Sequence, residues 1–127
     1  MKNAKQAVGR RGEDLACEHL VGLGHTILER NWRHSHLEID IVSRLHNELH
    51  IVEVKSRTAP LMAAPEENVD WKKRQRLVKA ARAYLGSRDR EALPPDVEIL
   101  FDVLTVVFNG PEFAIEYYPQ AFIPTYA

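Results

Sequence analysis

The sequence predicts an α/β domain on three observations: apolar residues at helical spacing near the N-terminus, three β-branched runs after them, and a second helical stripe followed by two more strand-like runs. In the first stretch Ala4, Val8, Gly12, Leu15, Ala16, His19, Leu20 and Leu23 share one face, which predicts a helix over residues 4–23 with Gly24 as its stop. Strands are expected over 26–32, 37–44 and 49–56, the last two joined by a His46-Asn47 turn, with Ile39, Ile41, Val52 and Val54 supplying apolar faces. Pro60 and Pro65 mark a loop. A helix over 68–85 follows, with Asn68 as its cap and Leu77, Val78, Ala81, Tyr84 and Leu85 as its buried stripe. Residues 99–108 read as a strand, and Asn109-Gly110 turns the chain into an edge strand over 113–118. The order is αβββαββ, without internal repeat or linker composition, so residues 1–127 are expected to form one domain.

Composition narrows the class. An apolar fraction of 45% with 28% charged residues excludes a disordered chain, which needs low hydrophobicity and high net charge. The lone Cys17 forms no internal disulfide and points to a reducing compartment, with the cytoplasm as the expectation. No apolar run follows Met1–Lys5 or approaches the ~18 residues of a membrane span, so neither export nor insertion is expected. The formal net charge of -1 hides an asymmetry. Arg10, Arg11, Lys55, Arg57, Lys72, Lys73, Arg74, Arg76, Lys79 and Arg82 precede residue 83, whereas acids crowd the last third, and one basic side would suit nucleic acid.

The candidate chemistry lies in the central strands. Alternation along a strand puts Glu38 and Asp40 opposite Ile39 and Ile41, and Glu53 and Lys55 opposite Val52 and Val54. Charges converging under a helix would be costly to desolvate unless a cation compensates. Magnesium takes hard oxygen ligands and retains several waters, a demand that Asp40, Glu53 and the carbonyl of Val54 can meet. Lys55 would then hold the attacking water or balance charge on phosphate. On the first helix Glu13 borders the apolar stripe, where it reaches the metal directly or through water, and Gly9 and Gly12 suit close approach to the sheet or to a phosphate. The plainer alternative is the solvated face of an antiparallel hairpin, on which Glu38, Asp40, Glu53 and Lys55 serve only solubility.

Taken in order, Gly9, Gly12-Glu13, Ala16, Leu20, Gly24, Ile27, Asn31-Trp32-Arg33, Glu38-Ile39-Asp40-Ile41-Val42, Val52-Glu53-Val54-Lys55-Ser56-Arg57 and Phe101-Asp102-Val103 resemble the YraN-like family of small bacterial endonuclease-like proteins. That group is distantly similar to archaeal Holliday junction resolvases. The resemblance implies a restriction-endonuclease-like αβββαβ core with a central mixed sheet flanked by helices. It also implies that Glu13, Asp40, Glu53 and Lys55 occupy the active-site positions of a PD-(D/E)xK nuclease, with Lys73 as an auxiliary basic residue. The family's usual glycine before Glu38 is Leu37 here.

The expected activity is Mg²⁺- or Mn²⁺-dependent hydrolysis of phosphodiester bonds in DNA, branched or structured DNA included; the alternative is a noncatalytic nucleic-acid-binding or protein-recruiting module on the same fold. Metal ligands are expected at Glu13, Asp40, Glu53 and Val54, and nucleic-acid contacts at Arg57, Lys72, Lys73, Arg76 and Lys79. A solvated helical face is the simpler account of any one of these cations. A homodimer would suit paired nicks across a junction, and a monomer is equally allowed.

Other features carry less. His34, His36, His46 and His50 lack cysteine partners in a zinc register and read as surface hairpin residues. Trp32 and Trp71 are expected to pack in the core or at its rim. Asp102, in an apolar strand, is expected to support a nearby basic group. Cys17 has no evident histidine partner for nucleophilic chemistry, and no Gly-rich phosphate loop occurs.

Overall fold

A computed structural model of the chain describes residues 4–60, 70–87 and 93–122. The first helix, α1 (Ala4–Gly22), buries Leu15, Ala16 and Leu20. It ends in a Schellman turn: the N–H of His25 reaches the carbonyl of Leu20 and that of Gly24 the carbonyl of Val21, both at 3.0 Å. Gly24 takes φ +101° there, a conformation that a side chain would strain.

Five strands follow as β1 (Thr26–His34), β2 (Leu37–Leu45), β3 (Glu48–Thr58), β4 (Glu98–Asn109) and β5 (Glu112–Phe122), with the second helix, α2 (Trp71–Leu85), between β3 and β4. They form one sheet in the order β1-β2-β3-β4-β5. Neighbours that follow directly in the chain pair antiparallel; β3 and β4, separated by α2, pair parallel. This αβββαβ order around a mixed sheet is consistent with the restriction-endonuclease-like core that the family resemblance implies, extended at one edge by β5.

Each helix covers one face. Under α1 lie Ile41, Val52, Leu104 and Val106. Against α2, whose Leu77, Val78, Ala81 and Tyr84 are buried as its stripe predicts, lie Ile39, Val42, Leu49, Ile51, Phe101 and Val103. Trp32 belongs to this second core, edge-on to Tyr84 at 5.4 Å, while Trp71 is exposed. The cap of α2 is Asp70, whose carboxylate accepts the N–H of Lys73 at 2.9 Å; Asn68, the cap expected from the sequence, lies outside the described residues. No helix among the described residues is long and apolar enough to cross a membrane.

Candidate active site where two strands part

The antiparallel ladder between β2 and β3 runs from Leu45↔Glu48 to Ile41↔Val52 and stops there. Alternation along β2 breaks at the same place, because Ile39 packs under α2 and Ile41, two residues on, packs under α1. Asp40 sits at this break. Its Oδ2 accepts the backbone N–H of Val54 at 2.9 Å, so a side chain takes over a bond that a continued ladder would have made. The expectation that Glu38, Asp40, Glu53 and Lys55 share one face is thereby corrected at Asp40, which opens to the α1 side, while Glu38, exposed and paired with Arg33 at 3.5 Å, borders the same opening as Glu53.

On β3, Leu49, Ile51, Glu53 and Lys55 point to the α2 side, and His50, Val52 and Val54 to the α1 side. Glu53 and Lys55 are buried, with Lys55 Nζ 3.7 Å from Glu53 Oε1. Lys73, from the first turn of α2, reaches Glu53 Oε1 at 2.5 Å. Burial, together with the charge of Glu53, raises the Asp40 carboxyl to about 7, against the pull of the Val54 N–H bond. Burial depresses Lys55, and the neighbouring Lys73 and Arg57 act in the same direction while Glu53 opposes. Burial pulls Lys73 down too, but its hydrogen bond and charge contact with Glu53 win and leave it raised. A half-buried and a buried carboxylate therefore press on each other beside two crowded ammonium groups.

Glu13 joins from α1. Its Oε1 accepts the side-chain N–H of Asn31 at 2.9 Å and lies 3.9 Å from Arg30, which is itself bonded to Asp14 at 2.7 Å. Between the pairs Arg30↔Ile41 and Trp32↔Ile39, Asn31 stands across from Asp40, and it holds φ +52°. It ties the helix carboxylate to the strand that carries Asp40. Sequence reasoning placed Asn31 only within a run resembling a family; the available signal is asparagine's tolerance of left-handed backbone.

A cavity of about 660 Å³ opens on the α1 side, lined by Gly9, Glu13, Asp40, Val54, Ser56 and Arg57 among others. On the α2 side a second, of about 380 Å³, is lined by Leu37, Glu38, Glu53, Lys73 and Arg76. Leu37 narrows this second opening where a glycine would leave it wider. Glu13, Asp40 and Val54 thus share one cavity, whereas Glu53 faces the other. Among the described residues no three His, Cys, Asp or Glu side chains converge as a ready-made metal-ligating group. Few protein oxygens around two mutually repelling carboxylates, one buried and one half-buried, nonetheless fit a hard cation that keeps most of its waters.

The remaining expected contacts divide. Lys72, Arg76 and Lys79 are exposed on α2, Arg57 is half-buried and borders the first cavity, and Lys73 turns inward to Glu53. His34, His36 and His46 are exposed as expected. His50 is not a surface residue: it is 3% exposed, donating or accepting at both ring nitrogens between Asp102 (2.5 Å) and Glu48 (2.9 Å). Asp102 does support a basic group, and that group is His50.

Over residues 12–106 the sequence matches the model of uncharacterised protein family UPF0102. The chain belongs to that family. A UPF0102 protein of Flavobacterium johnsoniae is 41% identical over 115 residues, covering 91% of this chain and 93% of that protein. One of Bacteroides thetaiotaomicron is 43% identical over 117 residues, covering 92% and 93%. A third, from Nitratidesulfovibrio vulgaris, is 38% identical over 122 residues, covering 96% and 88%. The span matched by the UPF0102 model takes in Glu13, Asp40, Glu53, Lys55 and Lys73, so the whole carboxylate and lysine cluster falls within the family region.

Proposed function

We propose that this UPF0102 protein is a metal-dependent endonuclease hydrolysing phosphodiester bonds in DNA, with structured or branched DNA as its expected substrate. The observation that carries this reading is the half-buried carboxylate of Asp40 beside the buried carboxylate of Glu53, at the point where β2 and β3 separate, flanked by Lys55 and Lys73. Buried charge of this kind is expensive without a function or a counter-ion.

Glu13, Asp40 and the Val54 carbonyl, which border one cavity, are the groups that would hold Mg²⁺ or Mn²⁺, with Glu53 joining them once it is released from Lys73. Such an ion, when bound, supplies Lewis acidity and a water acidic enough to attack phosphate near neutral pH. Asp40 is fixed by the Val54 N–H, which leaves its other oxygen for the cavity. Lys55, depressed by burial, is suited to orient the attacking water and to balance charge growing on the phosphate. Arg57 and the exposed Lys72, Arg76 and Lys79 offer phosphate contacts that set position rather than sequence.

One observation favours a second reading. Lys73 already neutralises Glu53, and that closed ion pair suits a noncatalytic module which binds nucleic acid or recruits a protein partner. Cleavage of end-labelled single-stranded, duplex, flapped and four-way-junction DNA, and of RNA, separates the two when Mg²⁺ and Mn²⁺ are compared with chelator. Metal-dependent cuts that fall about 100-fold or more in Asp40→Ala and Lys55→Ala support the nuclease. Salt-sensitive binding with no cuts on any substrate supports the module.

A further inference from the structure

Gly9 and Gly12 lie one turn apart on α1, and packing accounts for only one of them. A Cβ at Gly12 would stand 1.8 Å from Ser56 Oγ, so the helix needs glycine there to approach β3. A Cβ at Gly9 would meet no heavy atom of the described residues within 4 Å. Glycine inside a helix is less favourable than alanine, and no packing against the described residues offsets that at Gly9.

Two cavities meet over this stretch of bare backbone. The one bordered by Asp40 and Arg57 and another of about 680 Å³, bordered by Arg10 and Arg30, have Gly9 and Glu13 in common. Arg30 is committed to Asp14, whereas Arg10 and Arg57 make no ion pair with a described residue. Arg57, whose guanidinium donates to the Ser56 carbonyl at 2.9 Å, and Arg10 thus stand on either side of a stretch bordered by Gly9 and Glu13, with Asp40 beside Arg57.

We propose that Gly9 is a saddle across which one strand of nucleic acid passes over α1, with phosphates held by Arg57 on one side and by Arg10 on the other. Guanidinium groups pair well with phosphate, and a sugar-phosphate chain can run close to a helix only where no side chain stands in its way. The inference rests on the nucleic-acid reading above and adds the route the strand takes.

Gly9→Ala and Gly9→Leu test it, because helix propensity and strand passage predict opposite signs. Melting temperature should rise by about 2–5 °C in Gly9→Ala, since the added Cβ meets none of the described residues. Affinity for a labelled single-stranded oligodeoxynucleotide, read by fluorescence anisotropy, should fall severalfold in Gly9→Ala and about tenfold or more in Gly9→Leu. Unchanged affinity in Gly9→Leu overturns the proposal, as does a drop in melting temperature that accompanies the loss of binding. Wild-type cleavage lost in Asp40→Ala, with Gly9→Leu binding normally, removes the route and keeps the nuclease. Cleavage retained in Asp40→Ala, with binding lost in Gly9→Leu, keeps the route and removes the catalytic assignment. Failure of the unmodified protein to bind any nucleic acid overturns both.

Discussion

The backbone N–H of Val54 bonds to the side chain of Asp40 at 2.9 Å, at the end of the β2–β3 ladder. Two strands can part here without orphaning a buried donor, and the carboxylate that satisfies it becomes fixed in a cavity. The bond and the charge of Asp40 are separable. Asparagine keeps an acceptor for Val54 and removes the negative charge that Glu53 opposes.

Asp40→Asn should therefore stabilise the protein at neutral and alkaline pH. The folded-state pKa of about 7 lies above the ordinary value of 3.8, so the folded protein holds this proton more tightly than the unfolded chain. That contribution is complete below the unfolded value and is lost as pH rises through the folded one. Urea unfolding should show the variant and wild type about equal near pH 4, with the variant ahead by about 1–3 kcal/mol near pH 8 once solvent screening is allowed for. Equal stability at both pH values would mean that Asp40 carries no buried charge. In the nuclease reading, cleavage rises with pH through about 7 for the same reason, as Asp40 gives up its proton.

Lys73→Met removes the nearer cation from buried Glu53 and leaves Lys55 at 3.7 Å. Destabilisation of about 1–3 kcal/mol is expected near pH 7, below the figure for a fully buried pair because the Lys73 side chain is 33% exposed. If Glu53 is a metal ligand, Mg²⁺ should raise the melting temperature of this variant more than that of wild type, since the ion no longer competes with an ammonium group. Equal shifts in the two proteins would separate Glu53 from metal binding.

How far the sequence could be read follows from which signals are local. Helical and strand periodicity placed every element within a few residues, since the apolar stripes of α1 and α2 and the β-branched runs each face their own side of the sheet. Alternation failed at Asp40, because it presumes a continuous ladder and β2 is released from β3 there. The histidine at position 50 looked like its exposed neighbours in the hairpin. Its burial depends on Asp102, which is 52 residues away along the chain and adjacent only after β3 and β4 pair in parallel. Long-range pairing of this sort leaves no periodic trace. Asn31 escaped for a similar reason: its partner Glu13 belongs to another element, and only the fold brings them within 2.9 Å.

Gly12→Ala should be destabilising although alanine is the better helix former. The new Cβ would lie 1.8 Å from Ser56 Oγ and 2.9 Å from Ser56 Cβ, which forces α1 off the sheet or Ser56 out of place. A cost of about 1–3 kcal/mol is expected from such overpacking. Adding Ser56→Gly removes both clashing atoms and should recover part of that cost; a double-mutant cycle with no coupling would show that α1 does not depend on this contact.

His50→Gln probes a buried polar network apart from the Asp40 and Glu53 site. The imidazole lies between Asp102 and Glu48, and Tyr117 and the backbone N–H of Gln120 also donate to Asp102. Burial pulls the pKa of His50 down, but the bonds and charges of Asp102 and Glu48 outweigh it and leave the histidine above its usual 6.5. A raised histidine contributes stability that is complete below its unfolded value and disappears as pH climbs through its folded value. Loss of the imidazolium should thus cost about 2–4 kcal/mol near pH 6, where it partners buried Asp102, and clearly less near pH 9. The neighbouring His25, 4.6 Å away between ring centroids and bonded to Ser43 Oγ, is pushed the other way by burial and by His50. The two histidines are thus shifted in opposite directions, which makes the pH trend specific. If urea unfolding at the two pH values gives the same cost, His50 is a neutral hydrogen-bonding residue and Asp102 is held by Tyr117 and Gln120 instead.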